Sequence, residues 1–259
     1  MTWSPDGTRL AAVALPASSQ DPSILQSELT VRVMTVDGAL GQTIPGREVV
    51  WTVPGMFVIT NGTIRANDRA RDDQAIELWN GTQKRTVTTV ARIISDPRAL
   101  VGAASMRGMT SVSSITAAAD GAYLSVRVAF LATVTRPGEA PTPFLVLLRA
   151  SDGAATQYIL GDRIADEAWS PSRALIGYTN TTGGQGITGT PTEPKPSAVV
   201  REAATGNVLA EVDGRFAGWS PDGAWFYVAT SGGLYARPLT GGALVRVSGL
   251  GVPVSITKP

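Results

Sequence analysis

"WSPDG" occupies residues 3–7, returns intact at residues 219–223, and survives as "WSPSR" at residues 169–173. Proline presets φ for a turn, aspartate accepts backbone N–H bonds within it, and glycine supplies the permissive position. A tight turn repeated ahead of an apolar run points to a recurring antiparallel hairpin. Two looser copies exist. "VVWTVPGMFVIT" carries Trp51 and Pro54-Gly55, and "ITAAADGAYLSVRVAF" carries Asp120-Gly121. From Gly7, the markers Gly55, Gly121, Arg173 and Gly223 follow at steps of 48, 66, 52 and 50 residues. A period near 50 residues is that of a four-stranded propeller blade.

Each unit reads alike internally. A strand a ends at the Trp or its substitute, and an apolar strand b follows the turn: 8–15, 56–60, 122–130, 174–179 and 224–230. Strand c falls at 29–35, 75–79, 144–149, 197–202 and 234–239. Turns at Asp37-Gly38, Asn80-Gly81, Asp152-Gly153, Thr205-Gly206-Asn207 and Gly241-Gly242 lead to strand d. Such dipeptides accommodate the positive φ of short hairpins. The expected fold is all-β: a single β-propeller domain over 1–259, with five blades of four antiparallel strands. The blades are 1–46 with 251–257, 47–90, 91–160, 161–212 and 213–250. The first unit lacks a strand a of its own, so the tail "GVPVSIT" is expected to complete it and close the ring. Residues 91–115 read as an insertion, with a sixth, degenerate blade as the alternative.

Composition narrows the function. The 259 residues include 22 Lys plus Arg and 21 Asp plus Glu, a net charge of +1, which offers no field for nucleic acid or anionic membrane. No apolar run reaches the 18 residues a membrane helix needs. The start, "MTWSPDGTRL", shows no signal-peptide pattern, and the chain is expected to be part of a larger gene product. Cysteine and histidine are both absent. That removes Ser-His-Asp triads, Cys-His pairs, ordinary zinc sites and disulfides. No metal and no cofactor is expected.

The Trp-Ser-Pro-Asp-Gly pattern before an apolar strand resembles the TolB-like, or WD40-like "PD40", propeller repeat. The residues that carry it are Trp3, Asp6, Gly7, Trp51, Asp120, Gly121, Trp169, Trp219, Asp222 and Gly223. The resemblance implies bacterial envelope or secreted proteins that bind other proteins, and an extracytoplasmic location. It also covers the non-catalytic half of prolyl-oligopeptidase-like enzymes, whose separate hydrolase domain has no counterpart here. Asp6 and Asp222 read as turn residues, and the four tryptophans as wedges between blades.

In a four-stranded meander the a–b and c–d turns leave one end and the b–c crossings the other. Four crossings are long: 16–28, 61–74, 132–143 and 180–196; one, 231–233, is short. The long crossings and the insertion are expected to crowd one rim, where a rigid scaffold carries function. The candidate binding residues are Arg65, Asp68, Arg69, Arg71, Asp72, Asp73, Arg136, Glu139, Thr182 and Gln185. Asp68, Asp72 and Asp73 could offer oxygens to Ca²⁺, but no EF-hand spacing supports that, and surface ion pairing is the default. "NGT" at 61–63 and 80–82 and "NTT" at 180–182 match the glycosylation sequon, though Asn-Gly turns account for the first two. The expected function is a non-catalytic protein-interaction scaffold whose partner is another protein, without nucleic acid or membrane insertion. The alternative is a five-bladed glycoside hydrolase or carbohydrate-binding disc using funnel carboxylates, for which Asp166 and Glu167 are the few candidates.

Overall fold

The computed structural model describes residues 1–15, 29–62, 73–81, 83–100, 109–131, 144–159, 163–182 and 195–248. Its strands form five four-stranded antiparallel sheets, each following chain order. Sheet 1 holds β1 (Thr2–Trp3), β2 (Arg9–Ala14), β3 (Thr30–Thr35) and β4 (Leu40–Pro45). Sheet 2 holds β5 (Glu48–Thr52), β6 (Gly55–Ile59), β7 (Ala75–Asn80) and β8 (Gln83–Thr89). A short helix α1 (Val90–Ile94) and a 3₁₀ turn (Pro97–Leu100) follow. Sheet 3 holds β9 (Met109–Ala117), β10 (Tyr123–Leu131), β11 (Phe144–Arg149) and β12 (Ala155–Ile159). Sheet 4 holds β13 (Arg163–Trp169), β14 (Leu175–Thr182), β15 (Lys195–Glu202) and β16 (Val208–Asp213). Sheet 5 holds β17 (Arg215–Trp219), β18 (Trp225–Thr230), β19 (Gly233–Pro238) and β20 (Val245–Ser248).

Five sheets of four strands agree with the expected blades, and the b and c strands fall within three residues of their expected bounds. Two expectations change. Thr2–Trp3 pairs with Leu10 and Ala11, so sheet 1 has a strand a of its own; the tail 251–257, and ring closure with it, lies outside the described residues. The stretch 91–115 is not one insertion, because Met109 already begins β9. Its described first part does not join the crossings. It lies along β12: the Tyr158 hydroxyl donates to the Ile93 carbonyl at 2.9 Å, and Arg98 donates to the Ala155 carbonyl at 3.0 Å.

Contacts divide the chain into two compact units, residues 1–141 with 146–158, and 142–145 with 159–259. In the first unit, Ala11, Val31, Val33 and Ile44 of sheet 1 pack on Val49, Met56 and Val58 of sheet 2, and Trp51 and Trp79 close over them. In the second, Leu175, Ala198 and Val200 of sheet 4 meet Phe216, Phe226 and Val228 of sheet 5. The central strands are buried at successive positions: Met56 to Ile59 in β6, Phe144 to Leu148 in β11, Leu175 to Thr179 in β14. Side chains alternate between faces along a strand, so burial without interruption means both faces are covered.

The wedge role holds for two tryptophans. Trp219 meets Phe216 and Phe226 edge-on, with ring centroids 5.6 and 6.3 Å away, and its indole N–H donates to the Ala168 carbonyl at 3.0 Å. Trp51 packs on the cluster it shares with sheet 1. Trp169 is half-buried. Trp3 corrects the expectation, being 54% exposed. Trp51 and Trp219 each pack back against the preceding sheet of their unit. Trp219→Ala is therefore expected to cost about 3–5 kcal/mol in denaturant unfolding, and Trp3→Ala less than about 0.5 kcal/mol. Equal losses would contradict the assignment.

Candidate functional site

The two ends of each sheet are built differently, beginning with the repeated turn. At residues 4–9 the Ser4 hydroxyl donates to Asp6 Oδ1 at 2.6 Å and accepts the Arg9 amide at 2.9 Å. Asp6 Oδ1 also accepts the Thr8 amide and hydroxyl, at 3.0 and 2.8 Å. The same knot recurs at 220–225. Ser220 donates to Asp222 at 2.6 Å and accepts from the Trp225 amide at 2.9 Å, while the Ala224 amide donates to Asp222 at 3.0 Å. The backbone underneath repeats more widely. The amides of Ser4, Ala118, Ser170 and Ser220 each donate to the carbonyl five residues on, at 2.8–2.9 Å. Asp120 retains the amide bond, from Ala122 at 2.9 Å, although Ala118 stands where the serine would be. Asp6 and Asp222 thus bond within the turn. The serine's part went unread in the sequence, though Ser4, Ser170 and Ser220 are all buried.

These bonds favour the charged carboxylate. The Ser4 hydroxyl first, then the Thr8 amide and hydroxyl, bring Asp6 from 3.8 down to about 2. The turn's share of stability is therefore complete above pH 3.8 and is lost as pH falls through 2. Carboxyl NMR titration should place the Asp6 midpoint near 2, and Ser4→Ala should raise it. An unchanged midpoint in the variant would contradict the knot.

The glycines of this turn differ in a way the sequence does not show. Gly7 and Gly121 have φ of +70° and +67°. Around Gly7 a Cβ would meet open space, whereas at Gly121 it would lie 2.8 Å from Pro54 and 2.9 Å from Thr52 Cβ, on the turn of sheet 2. Neighbouring turns in this unit are thus stacked. Gly7→Ala should cost only the left-handed penalty, about 1–2 kcal/mol, and Gly121→Ala a further 1–3 kcal/mol or so for overlap. Equal unfolding free energies would show that the turns do not press together.

The crossing ends are tied side by side in the first unit. Asn61, where the second crossing starts, donates through Nδ2 to the Leu29 carbonyl, where the first one ends, at 2.8 Å. Gln74, where the second ends, is fully buried, and its Oε1 accepts the Val112 amide of β9 at 3.1 Å. Of the ten candidate binding residues, Asp73 and Thr182 are described. Both are exposed; Asp73 lies near the end of the second crossing, and Thr182 ends β14 opposite Lys195. Arg65, Asp68, Arg69, Arg71, Asp72, Arg136, Glu139 and Gln185 lie outside the described residues. Among the described residues no group of three or more carboxylates could hold a metal.

Asp166 has a structural partner set. It sits in a bulge of β13 at φ +54°, and Arg215 of β17 grips it with bonds of 2.9–3.1 Å. The Thr179 hydroxyl donates to it at 2.8 Å and accepts the buried Phe216 amide at 2.9 Å. The carboxylate joins two sheets of its unit through β13, β14 and β17. Glu167 is half-buried beside it.

Two features at the turn end have no local sequence signal. A cleft of about 290 Å³ opens between sheets 1 and 2, bordered by Asp6, Arg9, Gln42, Trp51, Trp79 and Asn80. Arg9 lies 4.9 Å from the Trp51 ring centre and Lys84 Nζ 5.5 Å from that of Trp79, so both indoles already carry a cation. The second feature is a clasp of arginines on the β11–β12 turn. Arg85 donates to the Ala150 and Ser151 carbonyls at 3.0 and 2.9 Å, Arg92 to the Asp152 carbonyl at 3.2 Å, and Arg98 to that of Ala155 at 3.0 Å.

No family model and no curated protein matches the chain. Solved structures do, at low identity. A chain of Kuenenia stuttgartiensis hydrazine synthase aligns with a TM-score of 0.52 at 12% identity, covering 92% of this chain and 63% of that one. A chain of the mitotic checkpoint complex gives 0.51 at 14%, covering 99% and 66%. Pyrococcus horikoshii acylaminoacyl peptidase gives 0.51 at 10%, covering 91% and 36%. The chain thus spans between about a third and two thirds of the chains it matches. Similarity at these identities concerns fold alone. With the five four-stranded meanders, it identifies the architecture as an all-β propeller of five blades.

Proposed function

We propose that this propeller is a non-catalytic interaction scaffold that captures a protein partner with the crossings at one end of its sheets. The observation that carries the reading is the contrast between the ends. Turns are short and knotted at one end, while crossings of ten or more residues leave the other at 16–28, 63–72, 132–143 and 183–194. In the first unit Asn61 joins the roots of the first two crossings and Gln74 fixes the second to β9, so their variable parts start from a fixed base. Arg65, Asp68, Arg69, Arg71, Asp72, Asp73, Arg136, Glu139, Thr182 and Gln185 supply the polar contacts in this proposal. One structural neighbour belongs to an assembly, the mitotic checkpoint complex, which accords with partner binding. Among the described residues no helix is long and apolar enough to cross a membrane. The TolB-like repeat, which Trp3–Gly7 and Trp219–Gly223 resemble, adds a bacterial envelope or secreted setting to the proposal.

The test replaces residues 63–72, and separately 183–194, with short Gly-Ser connections in the full chain. Capture of the cellular partner, followed by cross-linking mass spectrometry, should weaken at least about tenfold, with little change in melting temperature. Undiminished capture, or turnover of peptide or aryl-glycoside substrates by the parent chain, would contradict the reading.

A further inference from the structure

The arginine clasp leaves a polar cavity of about 250 Å³ between β8, α1 and the β11–β12 turn, with Thr88, Arg92, Ser95, Asp96, Arg98 and Tyr158 in its wall, Asp96 being held by Arg98. Three observations mark it as more than a packing gap. The Thr88 side chain is only 3% exposed, and its buried Oγ1 has no hydrogen-bond partner. A buried hydroxyl left unpaired is costly, so a site that retains one has a use for the donor. Second, Arg85 and Arg92 are exposed and bond only to backbone carbonyls, leaving most of their five N–H donors unused, and neither forms an ion pair among the described residues. Third, the patch is unbalanced in a chain of net charge +1. Arg85, Arg92, Arg98 and Arg149 gather around one turn against three carboxylates, Asp96, Asp120 and Asp152. Arg98 and Arg149 already grip Asp96 and Asp152 at 2.7 Å.

We infer that this cavity is a docking site for an acidic segment of a protein partner, one Asp or Glu side chain entering between Arg92 and the Thr88 hydroxyl. The volume lies below the range of small-molecule pockets and suits a single side chain. A planar guanidinium fork matches a carboxylate. Asp96 and Asp152 interrupt the positive surface, which disfavours the continuous phosphate track of a nucleic acid. The site lies along the outer strand of sheet 3; the root residue Gln74 adjoins it, its carbonyl accepting the Val90 amide of α1 at 2.9 Å, but no residue in the cavity wall belongs to a crossing.

The experiment is fluorescence anisotropy with the full chain and a fluorescein-labelled octaglutamate peptide at low salt, with competition by inorganic phosphate and by a 20-nucleotide single-stranded DNA. Arg92→Gln is expected to weaken peptide binding about tenfold, whereas Arg163→Gln, on β13, should leave it unchanged. Thr88→Val removes the unpaired hydroxyl at constant shape, so it should raise the melting temperature while weakening peptide binding. A purely structural threonine would not move both readings that way. Equal loss in Arg92→Gln and Arg163→Gln would overturn the site as generic charge attraction. Binding insensitive to Thr88→Val would overturn the pocket, and DNA displacing the peptide through Arg92 more tightly than octaglutamate itself would overturn the choice of partner. Loop replacements at 63–72 should not change any of these values, which separates failure of this inference from failure of the crossing-end reading.

Discussion

The structure depends on burying both faces of its sheets. Five successive residues of β11, Phe144 to Leu148, are buried, as are four of β6 and five of β14. A strand of this kind cannot exist in a sheet with one wet face, since every second side chain would then meet water. Each apolar face demands a neighbour, and within each unit the next sheet in the chain provides it through its first strands. Serial stacking of near-identical meanders then follows from the pattern of Val, Ile, Leu and aromatics.

That demand also separates the two ends of the sheets. Where neighbouring turns stack, loops must be short and stiff, and the Ser-Asp-Gly knot satisfies the backbone within six residues. Gly121 is pressed so close to Pro54 and Thr52 that no side chain fits. At the crossing end the restraint is confined to the roots, Asn61 on Leu29 and Gln74 on Val112. Length and composition can vary beyond such roots without disturbing the core. Sheet 3 adds α1 and the 3₁₀ turn along its outer strand, and the arginines of β8, α1 and that turn converge on one hairpin.

Much of this was legible because it is local. Asp-Gly and Asn-Gly turns mark hairpins wherever they occur, and the apolar runs between them located the b and c strands. Asp6 and Asp222 could be assigned to turns because proline and glycine flank them. What escaped was set by contacts between distant segments. Arg85, Arg92 and Arg98 bond to carbonyls 57 to 66 residues away, and nothing near them in the chain announces it. Asp166 read as a spare carboxylate because Arg215, its partner, lies 49 residues on. Trp3 carries the same motif as Trp219 yet is exposed, because a motif shared in sequence does not determine which residues pack against its tryptophan.

The most direct measurement of double-faced burial is native-state hydrogen exchange of the full chain, read by mass spectrometry. Amides of β6, β11 and β14 should exchange slowest and as a group within each unit, through opening of the whole unit, while the outer strands β4 and β16, exposed at most positions, exchange faster. If β6 or β14 instead exchanged as quickly as β4, their faces would not be covered on both sides, and the blade architecture with everything assigned to its two ends would fail.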